Sequence, residues 1–148
     1  MKSSCSIHIE APPERVFRDL SDPEKAQDWV SNLVEDHPIQ QTENHIGDTF
    51  RQTYDERGKR VEMTGTITAY EQDKRLAIRL EGETFNVEVD YWLDRQAAGT
   101  ELTQNVKVEF QGVMKWVMWV VGPLMGGMAK KQALQDLEKF KAICEASE

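Results

Sequence analysis

The sequence predicts an α+β domain in which a one-sided, curved antiparallel sheet is covered by a long C-terminal helix. Three observations carry that expectation. Apolar residues recur at every second position from Val34 to Phe110. After Gly122-Pro123 they recur at the helical spacing of about 3.6, and short turn signals separate the strand-like runs. A sheet with one apolar face has to bury it, and the last helix is the one long element available.

Taken in order, Ser4 to Ile9 alternates, with Cys5, Ile7 and Ile9 on one face, and reads as a first strand. Ala11-Pro12-Pro13-Glu14 ends it and suits a helix start, since proline loses nothing by lacking an N–H in the first turn. Val16, Phe17 and Leu20 share a face of that helix. Ser21-Asp22-Pro23-Glu24 repeats the device, with Asp22 as cap and Trp29 as anchor of a second short helix.

Five strands follow over Asp48–Asp55, Arg60–Tyr70, Leu76–Leu80, Phe85–Leu93 and Leu102–Phe110. An earlier strand between Val34 and Gln41 has an ambiguous phase, which makes six to seven in all. The inward phase of the second of the five holds Val61, Met63, Ile67 and Ala69, and Trp92 is the one large apolar residue on an outward phase. The connections are short, so neighbours are antiparallel. In the final helix Leu124, Met128, Leu134, Leu137, Phe140 and Cys144 form one stripe.

A chain of 148 residues has room for one core, giving a single expected domain over 1–148. Net charge is −8 with no basic block, which disfavours both a nucleic-acid groove and a strong anionic-membrane patch. Cys5 and Cys144 lie far apart without CxxC spacing and are expected as reduced thiols. The start has no apolar signal core, so a cytoplasmic location is expected. The apolar run Trp116–Val121 is too short for a spanning helix, which needs roughly 20 residues.

The order of elements, the opening Ile9-Glu10-Ala11-Pro12-Pro13-Glu14-Arg15-Val16-Phe17, then Leu20-Ser21-Asp22-Pro23-Glu24 and Trp29, resembles the START/birch-pollen-allergen-like (SRPBCC) superfamily. More narrowly it resembles the bacterial polyketide cyclase/dehydrase and lipid-transport group. Ile46-Gly47, Gly65-Thr66-Ile67-Thr68 and Gly99-Thr100-Glu101-Leu102-Thr103 sit where that group places them. The resemblance implies a helix-grip fold with a cavity between sheet and long helix for a hydrophobic ligand such as a lipid, polyketide or aromatic compound. Its relatives include enzymes, carriers and chaperone cofactors, and these motifs are turn and capping devices that specify fold better than function.

If the apolar phases face inward, the polar groups in the cavity are Gln52, Tyr54, Tyr91 and Gln104, surrounded by Met63, Ile67, Phe85 and Val87. Trp119, Leu124 and Met128 complete the candidate ligand-binding set from the last segment. The inward phases of the five clear strands offer no Asp, Glu, His, Lys, Ser or Cys. Catalytic residues are therefore not expected, nor are a metal or a cofactor: no ligand types recur at metal spacing. His8 and His45 are read as outward and turn residues, and His37 as a surface or rim residue whose strand phase is open.

The segment 113–128, with four methionines and two tryptophans, has two readings of equal weight. It is either a mobile wall or mouth of the cavity that touches a membrane transiently, or a loop and first helical turn packed as core. The leading functional expectation is binding or transfer of a small hydrophobic ligand. The alternatives are a cyclase or dehydratase with Tyr54 or Tyr91 as the acid, and an interaction module resembling chaperone cofactors. Oligomeric state is left open.

Overall fold

Apolar alternation and turn chemistry resolve into one continuous sheet. The structure, a computed structural model, describes residues 2–147, and for 123–126 it describes the backbone alone. Among the described residues there are seven strands and three helices: β1 (Lys2–Ile9), α1 (Pro13–Leu20), α2 (Pro23–Trp29), β2 (Leu33–Gln40), β3 (Thr49–Glu56), β4 (Lys59–Glu71), β5 (Arg75–Glu81), β6 (Phe85–Gln96), β7 (Gly99–Phe110) and α3 (Val113–Ala146). The sheet order is β1-β7-β6-β5-β4-β3-β2, antiparallel throughout. β2 to β7 are thus a meander, and β1 closes it by pairing with the last strand. This is the helix-grip arrangement, and the ambiguous segment 34–41 is its second strand.

The two short helices form where their caps place them. Pro13 opens α1, and the Asp22 side chain accepts from the Glu24 N–H at 3.0 Å to start α2. They pack under the sheet through Val16, Phe17, Leu20 and Trp29, all buried. Two glycines let strands come closer than any side chain allows. A methyl group at Gly65 would collide with the ring of its register partner Phe50, and one at Gly99 (φ 133°) would collide with the Ile9 carbonyl.

One strand departs from simple alternation. β4 carries a bulge between Ile67 and Ala69 in its pairing with β5, so that Tyr70 rather than Ala69 follows Ile67 on the cavity face. The expected inward position of Ala69 is therefore corrected to Tyr70. The outward Trp92 is exposed and lies beneath Arg75, whose guanidinium carbon is 4.5 Å from the ring centroid and which makes a bidentate pair with Asp90.

α3 begins nine residues earlier than the periodicity indicated, at Val113 rather than at Gly122-Pro123. A run apolar on all sides has no helical contrast for the 3.6 repeat to detect, and a Gly-Pro pair reads as a boundary. The buried seam of α3 is also narrower than the expected stripe. Leu137, Phe140 and Cys144 are fully buried and Ala133 and Ile143 pack beside them, while Leu134 and Met128 are exposed. Phe140 meets Trp29 with ring centroids 4.8 Å apart, tying α3 to α2.

Candidate functional site

The concave face of the sheet, α2 and the middle of α3 enclose a cavity of about 620 Å³, within the range of small-molecule sites. Its walls follow from strand phase. Met63, Ile67, Phe85 and Val87 line it, as do Gln52, Tyr54, Tyr91 and Gln104. Trp119 and Met128, expected on the wall, do not: both are exposed on α3. Among the described residues, those of α3 that reach the cavity are Gln132 and Asp136. Leu124 lies outside the described residues.

The polar groups in the cavity form two clusters. In the first, the Tyr54 hydroxyl donates to Gln52 Oε1 at 2.5 Å, and Gln52 Nε2 donates to Asp36 Oδ2 at 3.1 Å. Asp36 was not expected here, because the phase of β2 was open. Its register partner is Gln52 on β3, and His37 points out to solvent, where it faces Glu35. Burial raises the Asp36 carboxyl above the usual carboxylate range, against the hydrogen bond from Gln52 and the nearby His37. Burial likewise raises the Tyr54 hydroxyl, helped by Tyr91 and Asp36.

In the second cluster Gln104 Nε2 donates to the Tyr91 oxygen at 3.1 Å, and the Trp29 ring stands edge-on to Tyr91 with centroids 6.3 Å apart. Burial pushes the Tyr91 hydroxyl up to about 12. Trp29 Nε1 and Gln104 Oε1 are buried and meet no hydrogen-bond partner. Buried polar atoms are normally paired, so these two are an unmet donor and an unmet acceptor on residues of the cavity wall.

Polar residues also close the rim. Ser31 donates to Asp136 through its hydroxyl at 2.5 Å and its N–H at 3.2 Å, joining the end of α2 to α3. Asp48 accepts from the Thr42 N–H and hydroxyl and from His45 Nδ1, and His45 stacks on Tyr70 at 4.6 Å. Burial alone would raise the Asp48 carboxyl, but those hydrogen bonds outweigh it and hold the group below its ordinary range. His8 is exposed and bonds the Ala98 carbonyl. Among the described residues no group of three or more His, Cys, Asp or Glu could hold a metal ion.

The family model for polyketide cyclase/dehydrase and lipid transport matches residues 1–145. The chain belongs to this family. Solved structures agree on the fold. The ZhuI aromatase/cyclase from Streptomyces sp. R1128 superposes with a TM-score of 0.80 at 11% identity, covering 98% of this chain and 93% of that one. Ara h 8.0201 gives a TM-score of 0.76 at 12% identity, covering 99% of each chain. A protein from Rhodobacter sphaeroides gives a TM-score of 0.75 at 18% identity, over 99% of this chain and 93% of that one. No curated protein matches the chain. Strand phase places Tyr91 and Gln104 on the cavity wall, but it does not place Asp36 or Trp29 there. The signal for Asp36 was its place two residues before Pro38, on a strand whose partner carries Gln52.

Proposed function

We propose that the chain binds or transfers a small hydrophobic ligand that carries a hydroxyl or carbonyl group, held in the cavity between the sheet and α3. The observation that carries the reading is that two residues of a mostly apolar cavity wall each hold an unpartnered polar atom, Trp29 Nε1 and Gln104 Oε1. A ligand hydroxyl could accept from the indole and donate to the amide, while Met63, Ile67, Phe85 and Val87 supply dispersion contact. Family membership supports the class of ligand, since the family's description includes lipid transport and polyketide cyclisation.

Titration of a hydroxylated polycyclic aromatic compound, followed by quenching of tryptophan emission, tests this. Trp29→Phe and Gln104→Leu should each weaken binding by about five- to tenfold, the worth of one hydrogen bond. The same compound without its oxygen should bind both variants as it binds the parent protein. Equal affinity of the parent for both compounds would sink the assignment of the polar pair.

A second reading, a cyclase or dehydratase, is favoured by Asp36. Proton transfer suits a group whose pKa has moved toward neutrality, and burial moves the Asp36 carboxyl that way while moving both tyrosines away from it. In this reading Asp36 is the acid–base group and Tyr54, through Gln52, positions it. Asp36→Asn should lower turnover of a β-polyketone by about a hundredfold or more, and Tyr91→Phe should leave it within about tenfold. Turnover unchanged in Asp36→Asn would remove the enzyme reading.

A further inference from the structure

The first ten residues of α3 have no counterpart in the rest of the molecule. Among the described residues the core takes its α3 residues from Ala133 onward; within 113–122 Gly122 is buried and Met118 and Val121 are half-buried, and the rest are exposed. On the outer side of that helix Val113, Trp116, Val117 and Val120 follow the spacing i, i+3, i+4, i+7, with Trp119 beside them. Exposure is 79% for Val113, 74% for Trp116, 79% for Trp119 and 67% for Val120. The opposite side carries Met114 and the half-buried Met118 and Val121, and Lys115 is the one charge in this stretch. Yet no helix among the described residues is long and apolar enough to cross a membrane.

Charge separates the candidate occupants of this face. From Phe110 to Gln135 the sequence has no Asp or Glu, and it carries Lys115, Lys130 and Lys131. That is a segment of +3 in a chain of net −8. All three lysines are exposed, and none pairs with a carboxylate among the described residues. Lys131 lies about five helical turns from Val113 and so returns to the same side of α3. A two-fold contact with a second copy would bring this +3 segment against itself. An anionic bilayer surface would meet it with opposite charge, and tryptophan side chains favour the depth at which headgroups give way to acyl chains.

We infer that the start of α3 is a bilayer-docking element, which lies along an anionic lipid surface with Trp116, Trp119, Val113 and Val120 inserted and Lys115, Lys130 and Lys131 on the headgroups. The inference is independent of what the cavity holds. It accounts for the densest run of large apolar side chains left in water among the described residues, and it sets a helix with an apolar outer face in the plane of the interface.

Flotation of the full chain with vesicles of phosphatidylcholine, with and without phosphatidylglycerol, tests it. The protein should float with the anionic vesicles, its tryptophan emission should shift to the blue, and added salt should weaken both effects. The double variant Trp116→Ala/Trp119→Ala should lose about tenfold in vesicle partitioning, with unchanged circular dichroism. Lys115→Gln/Lys130→Gln/Lys131→Gln should lose at least about tenfold, and only on anionic vesicles. Protein that stays unbound with both vesicle types would overturn the inference, as would binding that neither variant weakens. A dimer in sedimentation equilibrium that Trp116→Ala/Trp119→Ala dissolves, without vesicle binding by the parent, would overturn it in favour of a second copy.

Discussion

Asp36 and Asp19 are both carboxylates removed from water, and their surroundings move them in opposite directions. Asp19 is fully buried at the end of α1. Burial pushes its carboxyl up, but hydrogen bonds from Lys25 at 2.6 Å, Ser147 at 2.8 Å and Arg18 at 3.2 Å win and hold it below the ordinary range. A carboxyl lowered by folding stabilises the protein above its unfolded pKa, and that contribution is lost as pH falls through the folded value. Asp36 has the reverse sign. Its raised folded pKa means the native state holds the proton longer, so its effect turns against folding as pH rises from the unfolded toward the folded value. Asp36→Asn is therefore expected to raise the thermal midpoint at neutral pH, with the gain closing below about pH 4. Thermal melts across pH check this, and a gain that persists in acid would point to packing instead. The inward Gln52, Tyr54, Tyr91 and Gln104 were legible because period-two alternation assigns a face outright. Asp36 was not, because β2 has no sustained apolar alternation and its register shifts twice against β3.

At the scale of elements, α3 is one helix in hydrogen bonding, with an exposed apolar first half and a buried seam in the second. Its second half is fixed by Leu137, Phe140 and Cys144, all fully buried, and burial together with nearby Asp19 pushes the Cys144 thiol up to about 12. Phe140→Ala should cost about 3–5 kcal/mol of stability, by the lost burial and the cavity left against Trp29. Trp116→Ala and Trp119→Ala should each stay within about 0.5 kcal/mol in the absence of lipid, since neither side chain leaves water on folding. Denaturant titrations of the three variants test the division. Comparable losses at Trp116 and Phe140 would mean that the first half packs on the protein after all. The strands, both short helices and the second half of α3 were legible because each contrasts an apolar face with a polar one. The bulge in β4 was hidden, because one extra residue shifts the phase without changing composition, and only pairing with β5 discloses that Tyr70 has taken the inward place.

Across the whole molecule, the chain is held shut where its two ends meet. Glu145 accepts from the Glu10 N–H at 2.8 Å, Lys141 donates to the His8 carbonyl at 2.9 Å, and Ser147 reaches Asp19. Between them β1 pairs with β7 from Lys2↔Lys107 to Ile9↔Thr100. Among themselves the other six strands pair only with neighbours in sequence, so those contacts close short loops. In refolding kinetics a substitution in the meander, Val89→Ala, should slow folding, whereas Ile9→Val should act mostly by speeding unfolding. Equal effects of Ile9→Val and Val89→Ala on the folding limb would show that β1 joins the nucleus. The pairing of β1 has a consequence for synthesis. β1 leaves the ribosome well ahead of β7 and has no sheet partner until Thr100 to Lys107 has followed it. Until then its backbone stays unpaired on the nascent chain, with Ile7 and Ile9 beside it.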